Sequence, residues 1–549
     1  MVLEKIDILK KSLNYRDISI LVISFVICAF IFSLRNLEPL LFPTLYAEDG
    51  LWIGLIMRNG FLDTAFHARD AFPVFGLVAL DWVALKLNLL FSNGVIFDLP
   101  LYIWIVSIAF LSAISVFPLI AFQNLLPLRY RLSLVLILPL MPTGVSGNEI
   151  FGRIGNLVFL FPLISIYTIC WLRSSSSNIY TFAACLIILF ISALTFPVCL
   201  GILALWLVIE VSLTLSNKYK FKIYNYFEGL EVLSLKRITL IGFVFLLCLF
   251  LMPDNLFSFK GAADMPAKAA GWIDYVGARL VLYPFISSYY SAMNNISTIL
   301  GFVLVSSILI TFGILIKSNG KMRFTNVFLI ASLGLYVAST AIMRSGFTSV
   351  FGHYINSYPD RYFLGINVLF LVTFCVAIYQ NTRFRSFTFA SVLMFYFINS
   401  AILYKQVFEG GEPTMQWRQF DDLRHMTCSS AVKGVPVSPS YQSNLVSFPI
   451  YPILGDNQFL RMTVPKSVFL HSIESGCSFA VAEKYDGKIV HQPAANRGKD
   501  DGWYLVKNGE RSWITDGVWP SKNGYQLSDV IEISSSEFNT IQEGSQTLK

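Results

Sequence analysis

Runs of about 20 mostly apolar residues recur from residue 18 to about residue 404, and no other feature constrains the fold so strongly. In hydrocarbon every backbone N–H and C=O must be satisfied within its own segment, so such runs are read as membrane helices. They fall at about 18–34, 73–91, 100–122, 130–146, 155–172, 180–195, 198–215, 237–252, 299–316, 324–343, 363–380 and 386–404. Composition agrees: 55% of the 549 residues are hydrophobic and 14% charged, with a mean hydropathy of +0.62, which excludes an ordinary soluble protein. The net charge of +7 does not point to nucleic acid, because Lys and Arg fall largely in short loops between the runs, where basic residues set membrane orientation. Cys28, Cys170, Cys185, Cys199, Cys248 and Cys375 lie inside apolar runs without metal-ligand spacing and behave as small hydrophobes. The first run follows Lys5, Lys10, Lys11 and Arg16 as a signal peptide would, yet no small-residue cleavage site follows it, so an uncleaved first helix is expected.

Basic clusters at the N-terminus, at Arg129 with Arg131, in 218–237, in 317–323 and at Arg383 with Arg385 assign those sections to the cytoplasm. The chain is then outside after the first helix and inside again by Arg129, so only one of 73–91 and 100–122 crosses. The run 73–91 carries Asp81, Lys86 and Asn88, which suit an interfacial or re-entrant segment better than a lipid-facing span. About eleven crossings remain. The expectation is a polytopic α-helical membrane protein. Residues 1–404 form its membrane domain, with outer-face loops at 35–72, 143–154, 253–298 and 344–362, and residues 405–549 form a small extracytoplasmic domain. The tail loses long apolar runs and gains turn residues between short Val, Ile, Tyr and Phe segments such as 431–437 and 478–482, which predicts an α+β or mostly β domain. Cys428 and Cys477 lie in that tail, and a disulfide between them and two free thiols are equally compatible with the spacing.

The polar residues suited to chemistry gather in the outer loops. Tyr46-Ala47-Glu48-Asp49-Gly50-Leu51-Trp52 opens a short amphipathic helix, expected to lie along the membrane. The adjacent carboxylates of Glu48 and Asp49 can take a proton from an attacking hydroxyl or hold Mg²⁺ or Mn²⁺; equally, they can simply favour a helix N-terminus. Asp63, His67, Arg69 and Asp70 follow as a phosphate- or metal-binding cluster or a plain interfacial charge cluster, the latter being the more common case for any single member. Glu149 and Arg153 form an acidic and basic pair in the next outer loop, and Asp254, Lys260, Lys268, Asp274 and Arg279 lie in the long one. Arg344, His353, Tyr358, Asp360 and Arg361 occupy the last. Arg361 stands at the start of a span, where its guanidinium fork can meet a lipid phosphate while its stem stays in the apolar layer, or can snorkel with Asp360 as partner.

An acidic pair in the first outer loop, a membrane-surface helix, a second interfacial helix, many spans, the late Arg361-Tyr362-Phe363 segment and a soluble outer tail together resemble the GT-C glycosyltransferases. Within that class the chain looks most like the phage- or prophage-encoded serotype-converting O-antigen glucosyltransferases of enteric bacteria. The tail segment Val446-Ser447-Phe448-Pro449-Ile450-Tyr451-Pro452 is similar to a strand and proline pattern in that group. The resemblance implies a polyprenyl-phosphate sugar donor, a surface polysaccharide acceptor and an acid of the first loop, Asp49 or Glu48, as base. Read from their places in the outer loops, Arg361, Arg344, Arg153 and His353, or a bound Mg²⁺ or Mn²⁺, can oppose the charge of the departing donor phosphate, and a flippase and a donor-lipid synthase are expected as working partners. The setting would be a bacterial inner membrane with a cytoplasmic N-terminus and a periplasmic tail. The absence of a nucleotide-sugar fingerprint or a Gly-rich phosphate loop fits a lipid-bound donor. The rival readings are a lipid-linked oligosaccharide polymerase, a transporter or flippase, and a membrane scaffold; transport predicts internal repeats and charges near mid-span.

Overall fold

A computed structural model of the chain describes residues 15–41, 44–69, 72–143, 147–174, 179–219, 233–253, 280, 283–286, 320–343, 361–379, 385–408, 440–442, 444–453, 459–476, 478–492, 501–533, 537–538 and 541–549. Among the described residues, five helices are long and apolar enough to cross a membrane: Asp17–Arg35, Ile96–Ala121, Gly155–Ser174, Pro197–Tyr219 and Met322–Ile342. Shorter apolar helices cover Ile179–Ala193, Arg361–Ala377 and Ala390–Tyr404. The protein is therefore mostly helical and membrane-embedded in character, with a small region of sheet near its C-terminus. The apolar run at 299–316 lies outside the described residues. The run at 130–146 differs from the continuous span expected: it holds two short helices, Leu128–Val135 and Ile137–Leu140, and then leaves helical geometry at Met141, directly before Pro142. A residue preceding proline is driven away from the α region, which ends the helix there.

The chain divides into two compact units. The first comprises residues 1–37, 61–80 and 104–416. Its opening helix, α1 (Tyr15–Arg35), has Asp17 in its first turn and Arg35 in its last, the arrangement that complements a helix dipole. Val22, Ile23, Val26, Ile27 and Phe30 are exposed along α1 while Cys28 and Phe32 are buried, an apolar outer face suited to lipid. Further helices of the chain are α2 (Glu48–Asn59), α3 (Phe61–His67), α4 (Phe75–Phe91), α5 (Leu99–Ala121), α6 (Phe161–Ser174), α7 (Ile179–Ala193), α8 (Pro197–Tyr219), α9 (Leu235–Phe250), α10 (Gly320–Met343), α11 (Arg361–Tyr379) and α12 (Arg385–Phe408). Helix α6 packs on α7, α8 and α10, and α10 packs on α11. At Gly365 in α11 a Cβ would strike the Phe159 carbonyl, which also accepts a hydrogen bond from the Tyr336 hydroxyl of α10. Only glycine permits that approach.

The second unit comprises residues 38–60, 81–103 and 417–549. Strands β1 (Ser440–Gln442), β2 (Leu445–Ile453) and β3 (Phe459–Pro465) form an antiparallel sheet in the order β1-β2-β3. Strands β4 (Ile489–His491), β5 (Trp503–Lys507), β6 (Glu510–Ile514), β7 (Val530–Glu532) and β8 (Gln542–Leu548) form a second, mixed sheet in the order β7-β4-β5-β6-β8. Strand alternation divides the second sheet's apolar residues between two clusters. Val490, Tyr504 and Val506 pack with Val481, Ala482, Tyr485 and Phe538, whereas Ile489, Leu505 and Ile514 pack with Trp503, Trp519 and Tyr525. The segment 478–482, read from sequence as a strand, is instead the start of a helix, Ser478–Lys484. Its Ala480, Ala482, Glu483 and Lys484 are good helix formers, and burial of Val481, Ala482 and Tyr485 against the sheet decides the matter. Segment 431–437 and both Cys428 and Cys477 lie outside the described residues.

Candidate functional site

The sequence-derived acids and bases fall into separate groups. In the second unit, Glu48 and Asp49 open α2. The residue before them, Ala47, is the helix N-cap at φ 45°, ψ −124°, in a region that side-chain-bearing residues rarely occupy, and it makes no side-chain cap. The Asp49 N–H donates to the Tyr46 carbonyl at 3.1 Å, closing the turn that presents the pair. Asp49 is buried and Glu48 half-buried. The helix expected along the membrane surface buries Trp52, Ile53, Gly54 and Ile56 and packs on β3. At Gly54 a Cβ would lie 2.7 Å from the Thr463 carbonyl oxygen, so helix backbone and strand backbone meet there with no side chain between them.

A second acid of that unit, Asp81 on α4, is 0% exposed, and neither of its carboxylate oxygens has a hydrogen-bond partner among the described residues. Burial first, and the charge of Asp49 second, hold its carboxyl well above the usual carboxylate range. In the sequence Asp81 marks only a poor span; its relation to Asp49 depends on folding that brings residues 32 positions apart in number into electrostatic reach.

In the first unit the loop after residue 143 assembles a polar cluster. The Arg361 guanidinium, at the start of α11, is ion-paired to the Glu149 carboxylate, and Glu149 is almost fully buried. Glu149 is therefore the partner of Arg361 that the structure records; the expected alternative, Asp360, lies outside the described residues. The Asn156 amide donates to the Glu149 carbonyl at 3.0 Å and the Ser107 hydroxyl of α5 donates to the Arg153 carbonyl at 2.9 Å. Gly152, at φ 79°, supplies the left-handed turn between Glu149 and Arg153, and the Arg153 side chain is buried. Two residues missed from sequence brace this loop. Arg35 donates to the carbonyls of Pro139 and Met141 at 2.8 and 2.6 Å and to the Thr143 hydroxyl at 2.9 Å, with its guanidinium 4.2 Å from the Phe151 ring centre. Asn36 donates to the Phe151 carbonyl at 2.7 Å. The available signal was an Arg-Asn pair ending the first apolar run, which reads as an ordinary interfacial anchor.

Asp63 and His67 form an exposed pair on successive turns of α3, Nδ1 to Oδ1 3.0 Å, and the Arg69 guanidinium lies 5.7 Å from the Phe72 ring centre. The exposed pair is what a solvated helix face produces. Asp70, Arg344 and His353 lie outside the described residues, as do Asp254, Lys260, Lys268, Asp274 and Arg279. Among the described residues no group of three or more His, Cys, Asp or Glu side chains is placed to hold a metal ion. Consecutive helical residues point about 100° apart, so Glu48 and Asp49 fit a shared Mg²⁺ or Mn²⁺ poorly.

A further charged group, also missed, lies within the helices. Glu210 of α8 is fully buried; its Oε1 accepts from the Trp206 indole N–H at 2.9 Å and pairs with Arg173 Nε of α6 at 3.1 Å. In comparisons with known proteins, no family model matches the chain and no curated protein matches it significantly.

Proposed function

We propose that the protein is a membrane glycosyltransferase of the GT-C kind. It transfers a glycosyl group, taken to be glucose, from polyprenyl phosphate to a lipopolysaccharide O-antigen or related surface glycan on the outer side of a bacterial inner membrane. This reading includes about eleven crossings, a cytoplasmic N-terminus and a periplasmic tail, resting on the distribution of basic loops. One observation carries it furthest: the helix bearing Glu48 and Asp49 is built into the same compact unit as the C-terminal sheet, backbone against backbone at Gly54 and Thr463. A polar domain that could bind a glycan thereby also fixes a buried carboxylate, next to a strained residue of the kind that clusters at functional sites.

In this reading Asp49 takes the proton of an acceptor hydroxyl as that oxygen bonds to the anomeric carbon. The bond from that carbon to the phosphate oxygen breaks, and polyprenyl phosphate leaves with the electron pair. Arg361 and Arg153 oppose the phosphate charge, with Arg344 and His353 assigned to the same role from their place in the last outer loop. The Glu149 carboxylate, paired with one Arg361 guanidinium nitrogen, orients that side chain. Glu48 is the alternative base.

The deciding test incubates membranes containing the protein with radiolabelled polyprenyl-phosphate glucose and candidate lipopolysaccharides, for the unchanged protein and for Asp49→Asn. Asparagine keeps the size and helix-start preference of aspartate but cannot take the proton, so label transfer is expected to fall by at least about a hundredfold at unchanged abundance. Near-normal transfer in both Asp49→Asn and Glu48→Gln overturns the acidic-pair mechanism. The buried Glu210–Arg173 pair is the one observation favouring transport. A transporter would leave the glycan unlabelled in every variant.

A further inference from the structure

Where α1 begins and α5 ends, the first unit contains a cavity of about 260 Å³. Its polar wall includes Asp17, Gln123, Asn124 and Arg131, and its apolar wall includes Ile20 and Leu119. Asp17 stands in the first turn of α1, and Gln123 and Asn124 follow the last residue of α5, so the cavity lies at the level where two apolar helices meet the membrane surface. The volume is many times what one water needs and approaches the roughly 300 Å³ at which small-molecule sites begin.

The charges in this wall are arranged unusually. Arg131 gives one guanidinium N–H to the Leu119 carbonyl, and its Nε is buried with no hydrogen-bond partner among the described residues. The Asp17 carboxylate acts electrostatically on that guanidinium, yet among the described residues no ion pair within 4.0 Å joins the two. Opposite charges therefore line one cavity without closing on each other. A simple anion would meet repulsion from Asp17, and a simple cation would meet repulsion from Arg131. A ligand carrying both charges a few bonds apart satisfies both, and an apolar wall beside them suits a molecule with a hydrocarbon part.

We propose that this cavity seats the headgroup of a zwitterionic phospholipid, its ammonium against Asp17 and its phosphodiester against Arg131, with the glycerol end leaving over Ile20 and Leu119. The bilayer supplies such a lipid at high local concentration, and Gln123 adds a further polar group at the headgroup. The site is independent of the glycosyl-transfer reading, because it uses none of the residues assigned to that chemistry.

Native mass spectrometry of the full chain, stripped of lipid in neutral detergent and titrated with short-chain phosphatidylethanolamine, phosphatidylglycerol or inorganic phosphate, tests it. The unchanged protein is expected to retain phosphatidylethanolamine about tenfold better than phosphatidylglycerol, the worth of one extra hydrogen bond to a charged group. Asp17→Asn is expected to level the two lipids without loss of the folded protein, since Asp17 makes no hydrogen bond or ion pair among the described residues. Arg131→Gln is expected to lose both lipids. Equal retention of the two by the unchanged protein, or a preference that survives Asp17→Asn, overturns the proposal. Phosphate bound as well as phosphatidylethanolamine also overturns it, leaving a plain anion site.

Discussion

Glu210 and Asp81 are both acids with no exposed surface, each on an apolar helix, and they belong to different units of the chain. Around Glu210 the fold has placed a guanidinium and an indole N–H. Around Asp81 it has placed no hydrogen-bond donor among the described residues, and another carboxyl, Asp49, acts on it. In a low-dielectric interior a carboxylate keeps its charge only where a cation compensates the lost hydration; without one it holds its proton. The first unit therefore uses its buried acid as a fastening between α6 and α8. The second carries an acid that contributes nothing to stability by pairing, in the same unit as the proposed base.

The largest expected effect is on the fastening. Glu210→Ala leaves Arg173 buried without its carboxylate and is expected to cost about 3–5 kcal/mol, read as a lower melting temperature in detergent and reduced membrane abundance. Replacing both partners, Arg173→Met with Glu210→Met, should restore most of that loss; if the double variant is as unstable as the single one, the pair is more than a fastening.

Arg361 extends the comparison to a pair whose proposed role goes beyond fastening. Arg361→Lys keeps the charge but loses the planar fork, so donor use measured as kcat/KM is expected to fall about tenfold at normal abundance. Normal kinetics in both the Lys and Ala variants would remove Arg361 from the donor site.

Gly54→Ala asks whether packing on β3 holds the acidic pair in place. An alanine normally favours a helix by about 1 kcal/mol over glycine, but here its Cβ meets the Thr463 carbonyl, and overpacking costs about 1–3 kcal/mol. Transfer is expected to drop several-fold through displacement of α2, although no charged group has changed. A more stable and fully active Gly54→Ala protein would show that the strand does not position the pair.

The smallest effect concerns Asp81. A carboxyl whose pKa is raised by folding binds more protons in the native than in the unfolded state over the range above about 3.9, so stability falls as pH rises through it. Asp81→Asn should remove that slope, so the variant gains on the unchanged protein as pH rises above about 4 and gains nothing below it. A loss of stability at pH 7 would mean that Asp81 is charged and compensated, and the contrast with Glu210 would collapse.

The membrane character of the chain was legible in the sequence, because apolar run length is a local property, and the candidate residues Asp49, Glu149, Arg153 and Arg361 stood out there by charge alone. The break of the run at 130–146 was legible in principle, through Pro139 and Pro142, but hydropathy averages over prolines. The helix at Ser478–Lys484 was misread as a strand because a short apolar segment has no period long enough to separate the two states, and its burial against the sheet decides.

What the sequence determined by itself is that bilayer, not water, is the solvent for most of this chain: the free energy of transferring each run depends on its own composition. What only the tertiary structure decided is which partner each charge receives. Glu149 meets Arg361 across 212 positions, Glu210 of α8 meets Arg173 of α6 with the whole of α7 between them in the chain, and α2 joins a sheet formed some 400 residues later. Such pairings depend on distance in space, which falls off steeply in its effect on charge and packing and leaves no local trace in composition or spacing.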